Sequence, residues 1–180
     1  MTRRALSLLV LLAAVVAGCG ETPGDVLPPP RDGRSGIQLS GTLGGRQAAV
    51  NDGLPEVNFG DCDVAEGPDR DLCVITEDIS GELIVIVFEN PAAFVAGERL
   101  AIDDASCGDA DACDAVTDVA LVDVRVGDGP RVTATGGSVT LEVVEDLARY
   151  RGDLDVRLPD GGRLTGTFDL IPRPDEISRR

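Results

Sequence analysis

The chain has 180 residues, with 32 acidic against 16 basic side chains, a formal net charge of −16, and neither histidine nor lysine. Charge of that sign repels phosphate backbones, which excludes nucleic acid as a partner. Without histidine there is no Ser-His or Cys-His catalysis and no His-ligated metal site, and without lysine no Schiff base or Ser-Lys pair.

The amino-terminal segment opens with Arg3 and Arg4 and no acid, followed by an apolar run from Leu6 to Ala17. That run is too short for a membrane span, which needs about 20 apolar residues. It suits a signal peptide, because small residues Ala17 and Gly18 stand where a peptidase pocket requires them. The quartet Val16-Ala17-Gly18-Cys19 resembles the lipobox of bacterial lipoproteins. The resemblance implies a diacylglycerol thioether on Cys19, cleavage after Gly18 and acylation of the new amino terminus. Several acyl chains then hold the protein to a membrane, each buried methylene contributing about 0.8 kcal/mol. Gly20 replaces the aspartate that often marks inner-membrane retention, so in a cell with two membranes the resemblance implies the outer one. A plain secretory peptide with an incidental Cys19 is the alternative. Thr2-Arg3-Arg4-Ala5-Leu6 also resembles a twin-arginine signal, but the strongly apolar run fits the general secretory route better. Losing residues 1–18 removes two arginines and no acid, and the more negative mature chain is repelled by anionic lipid.

Residues 19–36 are rich in Pro and Gly, with Pro28-Pro29-Pro30 at their centre, and read as an extended tether. Residues 37–172 form one candidate domain, and 173–180 a polar tail. In chain order, strands are predicted at Ile37–Leu43, Glu56–Phe59, Leu72–Thr76, Leu83–Phe88, Arg99–Ile102 and Val119–Val126. The unbroken apolar run Leu83–Phe88 predicts a central strand covered on both faces. Helical turns are expected only at Pro91–Glu98 and Glu145–Ala148. From Val119 onward, turns at Gly127–Pro130, Thr135–Ser138, Glu145-Asp146 and Pro159–Gly162 predict a five-strand antiparallel meander. Its last hairpin is the clearest. Tyr150, Gly152, Leu154, Val156 and Leu158 alternate with charged residues, and Leu164, Gly166, Phe168 and Leu170 resume the alternation after the turn. About ten short strands imply an all-β fold. A β-sandwich of jelly-roll or immunoglobulin-like shape is expected, with a lipocalin-like barrel as the alternative.

Four cysteines remain beside Cys19, an even number that reads as two disulfides in an exported chain. Three pairings are open. Cys62–Cys73 and Cys107–Cys113 are favoured, since each pair is close in sequence within a polar segment. A four-thiolate zinc site lacks the C-x2-C half that such sites use.

No constellation for catalysis stands out. A carboxylate-dependent glycosidase needs two acids, for which Glu82, Glu89 and Glu98 are candidates, but sugar sites also use aromatic platforms and this chain has one tyrosine and four phenylalanines. The segment Asp103–Asp114 places Asp103, Asp104, Asp109, Asp111 and Asp114 in one loop, a candidate for calcium, which takes about six to eight oxygens. The solvated acidic loop is the simpler reading, and the same holds for Asp61–Asp71. The leading expectation is a lipid-anchored cell-envelope protein of structural or binding type without catalytic chemistry or cofactor. The alternatives are a surface module recognising carbohydrate, peptide or protein, and a carboxylate hydrolase.

Overall fold

The computed structural model describes residues 35–59, 71–105, 112–113, 115–145 and 147–172. Eleven strands fill it: β1 Gly36–Leu43, β2 Arg46–Asp52, β3 Glu56–Phe59, β4 Leu72–Glu77, β5 Leu83–Phe88, β6 Arg99–Asp103, β7 Val119–Val126, β8 Val132–Thr133, β9 Gly136–Glu145, β10 Arg149–Arg157 and β11 Arg163–Leu170. A 3-10 turn forms at Pro91–Ala93, inside the first segment where a helical turn is expected, and Ala112 and Cys113 are also helical; at the second segment, Ala148 N–H closes a simple turn on the Glu145 carbonyl at 2.8 Å.

The all-β expectation holds, but the strands do not divide into the two facing sheets of a sandwich. One hydrogen-bonded path runs β2-β1-β11-β10-β9-β6-β7-β5-β4-β3, with β8 beside β7. The sheet curls into a half-barrel, and edge strand β2 is tacked to the end of β4 and the turn that follows it. Ile79 N–H donates to the Ala49 carbonyl of β2 at 2.8 Å, Thr76 Oγ1 donates to Asp52 Oδ2 at 2.9 Å, and Arg46 pairs with Glu82.

The curl has a visible cause. Gly41, Gly166 and Gly152 all face inward, on β1, β11 and β10. The register offsets each from the next by two residues, so they form a diagonal line across three strands. A Cβ on any of them would lie within 2 Å of a neighbouring strand's carbonyl oxygen: Arg163 for Gly41, Gln38 for Gly166, Thr140 for Gly152. Gly137 repeats the contact against Asp155 on the next strand. Strands approach this closely only where side chains are missing, and glycine lines of this kind let a sheet bend sharply. A register shift beside Gly152 adds to the bend.

The five-strand meander is corrected to three, β9-β10-β11. β8 is only two residues long, and β6 inserts between β7 and β9. β6 runs parallel to β7. A parallel pair needs a crossover of about a dozen residues or more, and the acidic segment after Asp103 provides it. Asn90, fully buried, pins its far end: its Nδ2 donates to the carbonyls of Val116 (3.0 Å) and Val119 (2.9 Å), and its Oδ1 accepts from Leu121 N–H (2.8 Å). β2 was not anticipated, because Ala48 and Val50 are weak apolar signals on an edge strand.

The concave face holds the core. All five aromatic side chains of the protein join there in one chain of ring contacts, Phe59–Tyr150–Phe94–Phe88–Phe168, with centroids 5.4–6.2 Å apart. Such pairs contribute about 0.5–1.5 kcal/mol each beyond their buried area. The β5 expectation is met. Ile84, Ile86 and Phe88 enter this core, while Val85 and Val87 are buried on the opposite face with Cys73 and Leu121.

Substituting Gly166→Ala should cost roughly 2–4 kcal/mol, since the new methyl meets backbone that cannot yield. Gly53→Ala, with open space at its Cβ position, should change stability by less than about 0.5 kcal/mol. Urea unfolding midpoints at equal slope check both.

Candidate functional site

Register places the first and last described strands' outer ends at one pole. β1 starts and β11 finishes side by side, with Gly36 opposite Asp169. Ser35 Oγ clamps them, donating to the Ile171 carbonyl at 3.1 Å and accepting Ile171 N–H at 2.9 Å. At the other ends of these strands lies the candidate site, a cleft of about 240 Å³ formed by three hairpin turns.

Each turn delivers its lining in the same way. The inward apolar phase of the strand continues to the residue before the turn: Leu43 before Gly44-Gly45, Val126 before Gly127, and Leu158 before Pro159-Asp160. Pro130 and Val132 complete the wall on the exit side of the middle turn. Two charged residues, Arg46 and Asp160, also line the cleft. Arg46 is engaged by Glu82, which reaches over from the β4–β5 turn. Asp160 Oδ1 accepts Gly162 N–H at 2.8 Å. In that same β4–β5 turn, Asp78 is held below the usual carboxylate range, first by the Ser80 hydroxyl and then by the Glu82 amide. Ile79 beside it is 81% exposed, the most exposed large hydrophobic among the described residues.

The residues singled out from sequence lie elsewhere. Asp103 and Asp104 are exposed, and Asp103 Oδ1 accepts Ala105 N–H at 3.1 Å. Asp109, Asp111 and Asp114 lie outside the described residues, as do Asp61 to Arg70, and no group of three or more metal-ligating side chains forms among the described ones. Glu82 and Glu89 stand at opposite ends of β5, about 23 Å apart at 3.3 Å per residue, so they do not make a catalytic pair. Glu98 is exposed beyond the 3-10 turn. The aromatics are buried and offer no sugar-stacking platform. Cys73 and Cys113 are both buried and disulfide-bonded. Cys62, Cys107 and the lipobox with Cys19 lie outside the described residues. No described helix is long and apolar enough to cross a membrane.

The convex face of β9, β10 and β11 carries arginine forks. Arg149 grips Asp169 through Nε (2.8 Å) and Nη2 (2.6 Å), and this bond raises the arginine's pKa further. Arg163 grips Asp155 at 2.8 and 2.9 Å, while Arg151 Nε donates to Glu142 at 2.9 Å. Asp155 is pulled below the ordinary range mainly by the Arg163 hydrogen bonds, with Arg163, Arg157 and Arg99 adding charge attraction.

No family model, no curated protein and no solved structure matches this chain.

The depressed Asp155 gives a signed pH effect. Its contribution is present above the unfolded carboxylate pKa, about 3.9, and is lost as pH falls through the lower folded value. Asp155→Asn should therefore lose a few tenths to about 1 kcal/mol at pH 6 and match the parent once both carboxyl forms are protonated. Urea melts between pH 2 and 7 check the convergence.

Proposed function

We propose that this chain is an exported, lipid-anchored binding protein of the cell envelope, displaying its cleft away from the membrane that holds it. The observation that carries the reading is the opposition of poles. The clamp between Ser35 and Ile171 sets the tether's exit at one end of the domain, and the cleft opens at the other. With Cys19 acylated, residues 20–34 reach about 50 Å at full extension, enough to hold the body clear of lipid headgroups. The net charge of −16 works in the same direction against anionic lipid. In a cell with two membranes, Gly20 assigns the anchor to the outer one. Two disulfides, Cys62–Cys73 and Cys107–Cys113, suit an oxidising compartment.

The half-barrel is not a chalice of the lipocalin kind. Its interior is occupied by the aromatic chain, so a ligand has its seat at the pole and not in the lumen. Recognition is favoured over hydrolysis because the cleft brings one carboxylate, Asp160, and glycoside hydrolysis needs two.

The native protein should fractionate with membranes, lack residues 1–18 and carry acyl mass on Cys19. Cys19→Ser should move it to the soluble fraction without changing its melting temperature. Mass spectrometry showing an intact leader and an unmodified Cys19 in membrane-bound native material would overturn the assignment.

A further inference from the structure

We infer that the cleft between the three hairpin turns takes the alkyl chain of a small cationic amphiphile, with Asp160 receiving the cationic head. This rests on the binding-protein reading above, but its chemistry comes from the cleft alone.

The walls are aliphatic. Leu43, Val126, Pro130, Val132 and Leu158 line it, and none of the protein's aromatic rings does. Stacking and cation–π recognition are thereby unavailable, which disfavours sugars, nucleobases and quaternary ammonium held in an aromatic cage. No amide or hydroxyl side chain lines the cleft either. What it offers a ligand is aliphatic surface and two charges. Arg46 is neutralised by Glu82, leaving Asp160 as the lining charge not engaged in a described ion pair. Its Oδ1 is occupied by Gly162 N–H, and Oδ2 has no hydrogen-bond partner among the described residues. An anionic head would meet that carboxylate and a protein of net charge −16, whereas a cation gains from both.

Size sets the length of the chain. The cleft volume of about 240 Å³ corresponds to roughly eight heavy atoms at the ~30 Å³ of a liquid water molecule. A primary alkylammonium of six to eight carbons matches that space on the same measure.

The test uses the full chain bearing Cys19→Ser, free of detergent, with n-alkylammonium ions from butyl to octyl and the carboxylates of equal length as probes. Amide shifts of Gly44, Gly129 and Gly161 in nitrogen-15 spectra report binding. The Kd should fall about fourfold per added methylene, as burial of each group predicts, and stop falling once the chain outgrows the cleft. Each ammonium should bind at least about threefold more tightly than its carboxylate, and Asp160→Asn, which keeps the acceptor for Gly162, should erase that preference. Val132→Phe should fill the cleft and abolish binding at an unchanged melting temperature. A Kd independent of length, an equal or better carboxylate, or shifts confined to other surfaces would overturn the inference. If Val132→Phe does not fold, the Asp160→Asn comparison decides alone. None of these outcomes bears on acylation of Cys19, so failure here leaves the envelope assignment standing.

Discussion

Curvature in this protein begins with missing side chains. Gly41, Gly166 and Gly152 lie on one diagonal of the concave face, each pressed against a neighbouring strand's carbonyl oxygen where no Cβ fits. A diagonal fold line coils a sheet, whereas a line along one strand would only hinge it. Everything else depends on that coil. It brings β2 round to the end of β4, where Ile79, Thr76 and Glu82 fasten it. It also encloses enough volume for five aromatic rings, which fill the concavity that the glycines vacate. Large rings beside inward glycines supply the packing that the glycines cannot.

The outer surface follows from a second constraint, the exclusive use of arginine for positive charge. A guanidinium presents a planar fork that meets a carboxylate with two bonds, which lysine cannot do. β10 and β11 carry four arginines (Arg149, Arg151, Arg157 and Arg163) against three aspartates (Asp153, Asp155 and Asp169), and the alternation alone does not oblige these charges to meet. Arg149 and Arg163 each take a carboxylate bidentately across the ladder, at the diagonal position the strands allow. Arg157 faces Arg163 directly, a like-charge pair that Asp155 separates. The exposed Arg163–Asp155 fork adds little stability by itself, whereas Asp169 is buried and depends on Arg149 for its partner, and both forks tie together strands that carry the glycine diagonal.

Most strands were legible because burial on one face imposes a period of two. Tyr150–Leu158 and Leu164–Leu170 read directly, and the unbroken Leu83–Phe88 announced a strand covered twice. What escaped was whatever depends on residues distant in sequence. β2 has only Ala48 and Val50 to show, since an edge strand with a small inward side needs little apolar bulk. β8 was read too long because its alternation continues after pairing ends, and the insertion of β6 beside β7 has no local signature at all. The curl into a half-barrel was hidden for the same reason: Gly41, Gly152 and Gly166 look like ordinary strand glycines until the register aligns them. The cleft was equally hidden. Its signal, an apolar residue standing directly before each of three glycine-bearing turns, is present at Leu43, Val126 and Leu158, but nothing local says that those turns meet. The acidic segments attracted notice because charge is conspicuous in sequence, and the described part of the longer one proves to begin a crossover.

The core is graded along the barrel axis, and this explains why the cleft lies where it does. Register sets Phe168 beside Ile37, Tyr150 beside Leu170 and Phe88 beside Leu72, so the rings gather toward the pole where the chain enters and leaves. Toward the turns the inward residues are Leu43, Val124, Val126, Leu158 and Leu164, all aliphatic. Side chains of that size fill a closed end only if the turns fold across it. Gly44-Gly45 and Gly127–Pro130 are too short to do so, and of their side chains only Pro130 enters the lining. An opening with aliphatic walls is the consequence. Burial of such walls is favourable for any apolar group, and at the rim Glu82 pairs with Arg46 while Asp160 stands outside any described ion pair.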